Sequence, residues 1–281
     1  MFNRKKLQRE KESLEAELTE AHATIRRLRK QLRTRRKRLE RIKTSSTLSQ
    51  HHLRVSYIVH DERKFVYMWI QKVACTSVKT ALSPLFDLDP THDGTRHPMG
   101  HGFFNASEDY RITKELLLAG LDQKYKDYFK FAFVRNPWDR LVSCYVDKIV
   151  RNEVPPKLLR SAGRADVEFY PKMPFAEFVE TVCRIPDRVA NPHFRPQHLT
   201  VCGPNGKPMA DFVGRFENLR EDFARVAQEI GAPELELPER NRKFASEERG
   251  SRPYHDFYDA RLRDMVYRRY EKDVETFGYT F

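Results

Sequence analysis

Tyr67-Met68-Trp69-Ile70-Gln71-Lys72-Val73-Ala74-Cys75-Thr76-Ser77-Val78-Lys79-Thr80-Ala81-Leu82 reads as strand, turn and helix. An apolar strand ends at Ile70, a short turn carries Lys72, small residues and two hydroxyls, and the pattern predicts a helix from Ser77 to Leu85. The first N–H groups of a helix have no acceptor within it and form the positive end of its dipole, so such a turn favours phosphate or sulfate. Lys72 adds a point charge, and Thr76 and Ser77 add hydroxyl donors. The layout is that of a P-loop, but the glycines of G-x-x-x-x-G-K-[ST] are absent, which argues against an ATPase or GTPase. Taken alone, the segment is also consistent with an ordinary strand–helix junction.

A second unit, Phe131-Ala132-Phe133-Val134-Arg135-Asn136-Pro137-Trp138-Asp139-Arg140-Leu141-Val142-Ser143-Cys144-Tyr145, repeats the arrangement. Arg135 stands at the C-terminal end of an apolar strand, where open α/β sheets bind ligands. Pro137 suits the first turn of a helix. Ser143 lies two helical turns further on and shares a ligand with Arg135 only if the helix packs alongside. A guanidinium matches a terminal phosphate by a planar fork, although a surface ion pair is the simpler reading of a lone arginine. Together the two units offer two anion-reading strand ends about sixty residues apart, which suits a nucleoside carrying phosphates at both ends.

The surrounding pattern predicts strands at Tyr57–Val59, Phe65–Ile70, Phe129–Val134 and Phe212–Phe216. It predicts helices at Tyr110–Leu121, Trp138–Val150, Phe175–Cys183, Leu219–Ile230 and over 259–277. Strands alternating with helices imply an α/β fold with a mainly parallel, P-loop-like sheet flanked by helices. Residues 87–107 and 151–171 read as loops.

The N-terminus differs in kind. Residues 1–43 contain no Pro or Gly and carry +10 of the chain's +12 net charge, so the remaining body is nearly neutral. The chain's basicity is therefore a property of this segment and does not by itself point to nucleic acid. Leu18, Ile25, Leu32 and Leu39 are seven apart, as are Leu7, Leu14, Ala21, Leu28, Arg35 and Ile42, which is the a/d pattern of a coiled coil. A helix of about 60 Å follows at 1.5 Å per residue. The expected organisation is a basic coiled-coil helix over 1–43 that pairs copies into an oligomer, a linker over 44–50 and a domain over 51–281. No window is apolar enough for a membrane span and no secretory signal is visible, so a cytoplasmic location is expected. Cys75, Cys144, Cys183 and Cys202 show no CxxC spacing, and free thiols are expected.

KVACTSVK (Lys72 to Lys79) resembles the 5′-phosphosulfate loop of the Golgi carbohydrate sulfotransferases, the group with the HNK-1 and chondroitin 4-O enzymes. FVRNPWDRLVSCY (Phe133 to Tyr145) resembles their 3′-phosphate motif. Weaker similarity runs through PHFRPQHLTVC (Pro192 to Cys202), DFVGRFENLREDF (Asp211 to Phe223) and the last twenty-odd residues, covering roughly residues 55–280 in family order. Two positions depart from the pattern: Gln71 replaces a usual proline and Asn136 a usual acidic residue. The animal members carry a membrane anchor, and the coiled coil stands in place of their stem, so a bacterial relative is expected.

The resemblance implies transfer of a sulfuryl group from 3′-phosphoadenosine 5′-phosphosulfate (PAPS) to a hydroxyl of a carbohydrate or glycoconjugate, without a metal. It implies that Lys72, Val73, Ala74, Cys75, Thr76 and Ser77 hold the 5′-phosphate, that Lys72 meets charge on the leaving oxygen, and that Arg135 and Ser143 hold the 3′-phosphate. Arg252 is assigned to the nucleotide. His101, in the Gly-His-Gly of residues 100–102, is the expected general base, because the related heparan 2-O enzymes keep their base histidine in a comparable segment. His193, His198 and Glu217 are competitors, although Glu217 reads better beside a helix cap at Asn218. A magnesium-dependent kinase and an inactive coiled-coil scaffold that binds partners or nucleic acid are the two alternatives.

Overall fold

The computed structural model describes residues 55–86, 110–121, 123–151, 165–238 and 252–281. The coiled coil, the linker and His101 lie outside the described residues.

Five strands form one sheet: β1 (Ser56–His60), β2 (Phe65–Met68), β3 (Arg111–Thr113), β4 (Phe129–Val134) and β5 (Phe212–Arg215), in the order β3-β1-β2-β4-β5. β2, β4 and β5 are parallel, whereas β1 runs antiparallel to both β2 and β3. The sheet is therefore mixed and not mainly parallel. The four-residue turn Asp61–Lys64 is too short for a parallel crossover, so it must return the chain as a hairpin. β2 is buried along its whole length and β4 along all but its first residue. That is why both read as unbroken apolar runs instead of alternating ones.

The register decides where the site lies. Met68 pairs with Ala132 in parallel, so β2 and β4 end at the same edge and the chain leaves that edge twice, once into Lys72 and once into Arg135. Gly214 on β5 pairs with Phe133, and a Cβ there would meet Phe133 Cε1 at 2.6 Å, so the ring requires glycine on the neighbouring strand.

The helices are α1 (Cys75–Leu82), α2 (Lys114–Gly120), α3 (Pro137–Tyr145), α4 (Phe175–Arg184), α5 (His198–Val201), α6 (Leu219–Glu229) and α7 (Ala260–Phe277). The core around the sheet takes Val78 and Leu82 from α1 and Phe223 and Val226 from α6. A second core joins Trp138 and Leu141 of α3, Phe178 and Val182 of α4, and Leu262, Val266 and Tyr270 of α7, closed by Phe169 and Phe194.

Three boundaries differ from expectation. α1 starts two residues early, which brings Cys75 and Thr76 into the first turn with Ser77. The stretch expected as one helix from Tyr110 opens with strand β3, because Ser56, Tyr57 and Ile58 offer it an edge to pair with. α2 then starts at Lys114 under a cap from the Thr113 hydroxyl. α3 stops at Tyr145 and continues as a π-turn over Val146–Val150, a form frequent at functional sites. All four cysteines are free thiols. No described helix is long and apolar enough to cross a membrane.

Candidate active site

The loop between β2 and α1 achieves its shape without glycine. Lys72 (φ 67°) and Ala74 (φ 60°) both adopt the left-handed conformation. This costs an L-residue roughly 1–2 kcal/mol, so the surroundings must hold it. Ala74 is the N-cap of α1, gives it no side-chain cap, and no acidic residue stands in the first turn. A helix start without its own carboxylate or hydroxyl cap suits an anion supplied from outside.

Two buried arginines hold the loop. Arg135 donates from Nη1 to the Lys72 carbonyl at 3.1 Å and from Nε to Asp139 at 2.7 Å, and its guanidinium lies 4.0 Å over the Phe216 ring. These bonds engage two of its five N–H donors. Arg140 is only 2 % exposed. It donates from Nε to the Gln71 carbonyl at 3.0 Å, from Nη1 to Arg195 at 2.8 Å and from Nη2 to Pro192 at 3.0 Å. Burial works against its charge, but three carbonyls compensate it. Sequence reasoning passed over Arg140. The available signal was a second arginine, one helical turn after the N-cap of a largely buried helix.

A further clamp comes from the C-terminal helix. Asp273 is fully buried in α7 and accepts the main-chain N–H of Gln197 at 2.7 Å and of His198 at 2.8 Å, which caps α5. Gln197 in turn accepts from the Arg135 N–H at 3.0 Å and donates to the Arg135 carbonyl at 2.8 Å, as a neighbouring strand would. His198 sets its Nδ1 2.7 Å from the same Asp273, so it stands in this structural clamp.

Asn136 explains its departure from an acidic residue. Its Oδ1 accepts from the Trp138 N–H, while its Nδ2 donates to the Thr280 carbonyl at 2.8 Å and to the Tyr254 hydroxyl at 3.3 Å. A carboxylate could cap the helix but could not donate to Thr280. Glu217 accepts the Asn136 N–H at 2.8 Å and the Tyr279 hydroxyl at 3.0 Å, so its carboxylate is part of this scaffold. Asn218 makes no side-chain cap bond, contrary to expectation.

Lys72 is paired. Lys72 Nζ lies 3.0 Å from Asp147 Oδ2 on the π-turn, and Lys148 Nζ lies 2.9 Å from the same oxygen. Burial raises the Asp147 pKa, but the two lysines outweigh it and hold the carboxyl below its ordinary value. Asp147 and Lys148, both on the π-turn, were not foreseen, because a charged pair near the end of a helix reads in the sequence as a solvated face. His193 is half-buried beside this cluster, its Nδ1 2.7 Å from Asn191 Oδ1. Burial, then the charges of Lys148 and Lys72, push its pKa down to about 3, with Asp147 opposing.

Ser143 is half-buried on α3. Arg252 bends back onto its own turn, donating to the Asp256 carbonyl and covering the Phe257 ring at 4.5 Å. Tyr254 of that turn reaches Asn136, which places the segment at the Arg135 end of the site.

Residues 55–280 match the sulfotransferase family as a whole. A carbohydrate sulfotransferase 14 of Danio rerio is 30 % identical over 208 residues, 69 % of this chain and 52 % of that protein. A carbohydrate sulfotransferase 9 of Homo sapiens is 27 % identical over 240 residues, 79 % of this chain and 52 % of that protein. A carbohydrate sulfotransferase 12 of Mus musculus is 30 % identical over 260 residues, 79 % of this chain and 59 % of that protein. The chain thus spans little more than half the length of these relatives. No solved structure gives a significant match. A family match that runs through both strand–turn–helix units and on through the clamp of α7 leaves one assignment: the chain belongs to the sulfotransferase family.

Proposed function

We propose that this domain transfers a sulfuryl group from PAPS to a hydroxyl of a carbohydrate or glycoconjugate. The observation that carries the reading is the bond from Arg135 to the Lys72 carbonyl, which joins the two anion-reading strand ends in one site. The relatives' names as carbohydrate sulfotransferases support the acceptor class.

The residues fit such a donor. The uncapped start of α1, with the N–H groups and hydroxyls of the Val73–Ser77 turn, suits the 5′-phosphate. Arg135, whose guanidinium matches an oxyanion by a planar fork, and Ser143 on the adjoining helix suit the 3′-phosphate. When bound, the donor supplies the activated sulfuryl group. Lys72 then leaves Asp147 for the bridging oxygen, where it neutralises charge as that charge develops. Arg252 covers the nucleotide from the turn beside Asn136. The heptads of residues 1–43 support self-association through a coiled coil.

Calorimetric titration with adenosine 3′,5′-bisphosphate, beside ATP and 5′-AMP, tests the reading. Magnesium-independent binding of the bisphosphate with weak 5′-AMP binding is expected. A preference for ATP with magnesium, or no binding by the folded protein, overturns it.

A further inference from the structure

Arg140 brings two separate segments to one point. Its guanidinium is hydrogen-bonded to the carbonyl of Gln71, which precedes Lys72, and to the carbonyl of Pro192, which precedes His193. The residues that follow those two carbonyls are therefore neighbours, although 121 positions separate them in the chain. The charges acting on His193 agree, since Lys148, Lys72, Asp147 and Arg140 are the ones it feels.

The tautomer of His193 follows from its contacts. Asn191 Oδ1 accepts the His193 main-chain N–H at 3.1 Å, so that atom is the amide oxygen and not its nitrogen. An oxygen 2.7 Å from ring Nδ1 requires that Nδ1 carry the hydrogen. Nε2 is then the bare nitrogen of the neutral ring, the form that accepts a proton. Asn191 is itself buried and fixes the ring from behind.

We propose that His193, through Nε2, is the general base for the acceptor hydroxyl in the sulfuryl transfer inferred above. The acceptor oxygen forms its bond to sulfur as its proton passes to Nε2. The bond from sulfur to the bridging phosphate oxygen breaks, and its electron pair leaves with the bisphosphate, where Lys72 meets the charge. The imidazolium afterwards releases its proton to water.

The cluster also links the base to the donor. Without an anion, burial and the nearby cations hold His193 unprotonated but weakly basic. An anion bound at Lys72 offsets those cations and raises the basicity of Nε2, so the base strengthens only once the donor is seated.

The test uses the full chain and three readouts. Adenosine 3′,5′-bisphosphate binding is measured by calorimetry. Turnover is followed as release of sulfate from PAPS, with water in place of the acceptor. Ring tautomer and pKa are read by 15N NMR on the wild-type protein, with the His193 ring assigned by through-bond correlation to its own main chain. His193→Gln is expected to bind the bisphosphate within about twofold of wild type and to lose turnover about 100-fold or more, the usual scale for a lost general base. In the wild type, His193 should show the Nδ1–H tautomer and a pKa that rises on adding the bisphosphate. Full turnover in a folded His193→Gln variant overturns the proposal. So does an Nε2–H tautomer, or a His193 pKa indifferent to the bisphosphate. The NMR arm decides the matter even if His193→Gln fails to fold. Absence of bisphosphate binding by the folded wild type would instead overturn the sulfotransferase reading.

Discussion

The guanidinium of Arg135 donates to the main-chain carbonyl of Lys72 across 3.1 Å, although the two residues are 63 positions apart. One side chain thereby fixes the left-handed turn at the first strand end while belonging to the second. Arg135→Lys keeps a charge but has neither the fork nor the reach to serve Asp139 and Lys72 together. Its expected effect is a loss of adenosine 3′,5′-bisphosphate affinity of about tenfold or more, read by calorimetry, with Arg135→Ala weaker still.

Arg140 has a structural counterpart role that stability measurements can isolate. Arg140→Met keeps much of the volume and strips the donors from the Gln71, Pro192 and Arg195 carbonyls. Each buried acceptor left unpaired costs about 1–3 kcal/mol. Urea unfolding should show a loss of about 3 kcal/mol or more.

Ala74 occupies a conformation that glycine enters freely. Ala74→Gly should raise stability by about 0.5–1 kcal/mol, since relief of the left-handed penalty exceeds the added freedom of the unfolded chain. Thermal unfolding with and without the bisphosphate checks this. A gain that vanishes with the ligand would show that binding already offsets the strain.

Asp273 reaches the Arg135 end of the site through Gln197. Asp273→Ala removes the acceptor for two main-chain N–H groups at the start of α5. The expected loss is about 2 kcal/mol or more of stability, together with weaker bisphosphate binding as the clamp on Arg135 loosens. Gln197→Ala should reproduce the binding defect with the smaller loss of stability.

His193 makes a pH prediction with a definite sign. Its folded pKa, about 3, lies below the ordinary value of 6.5, so between those values the unfolded chain binds a proton that the native state refuses. Stability should therefore fall as pH drops through that window. The fall should be shallower in His193→Gln, measured as melting temperature against pH. Below the ordinary Asp147 value of 3.8, protonation of that carboxylate removes its pairing with Lys72 and Lys148 and adds a further loss.

The sequence by itself determined the elements whose signal is local. Apolar runs such as Phe129–Val134 mark buried strands, and Pro137 marks a helix start. It also determined that two cationic strand ends exist, because charge after an apolar strand is visible in one dimension. Tertiary structure alone decided what brings them together. The parallel register of β2 on β4 sets both ends on one edge, and no residue in either strand announces that pairing. Strand β3 was misread as helix because its conformation comes from the edge of β1 and not from its own residues. Arg140, Gln197 and Asp273 serve the site through main-chain carbonyls and N–H groups, which every residue possesses and no sequence pattern distinguishes. Lys72 and Ala74 take a glycine-like shape without glycine, so composition could not show the loop's form. That shape is imposed from outside by Arg135 and Arg140, which is why it becomes visible only in the fold.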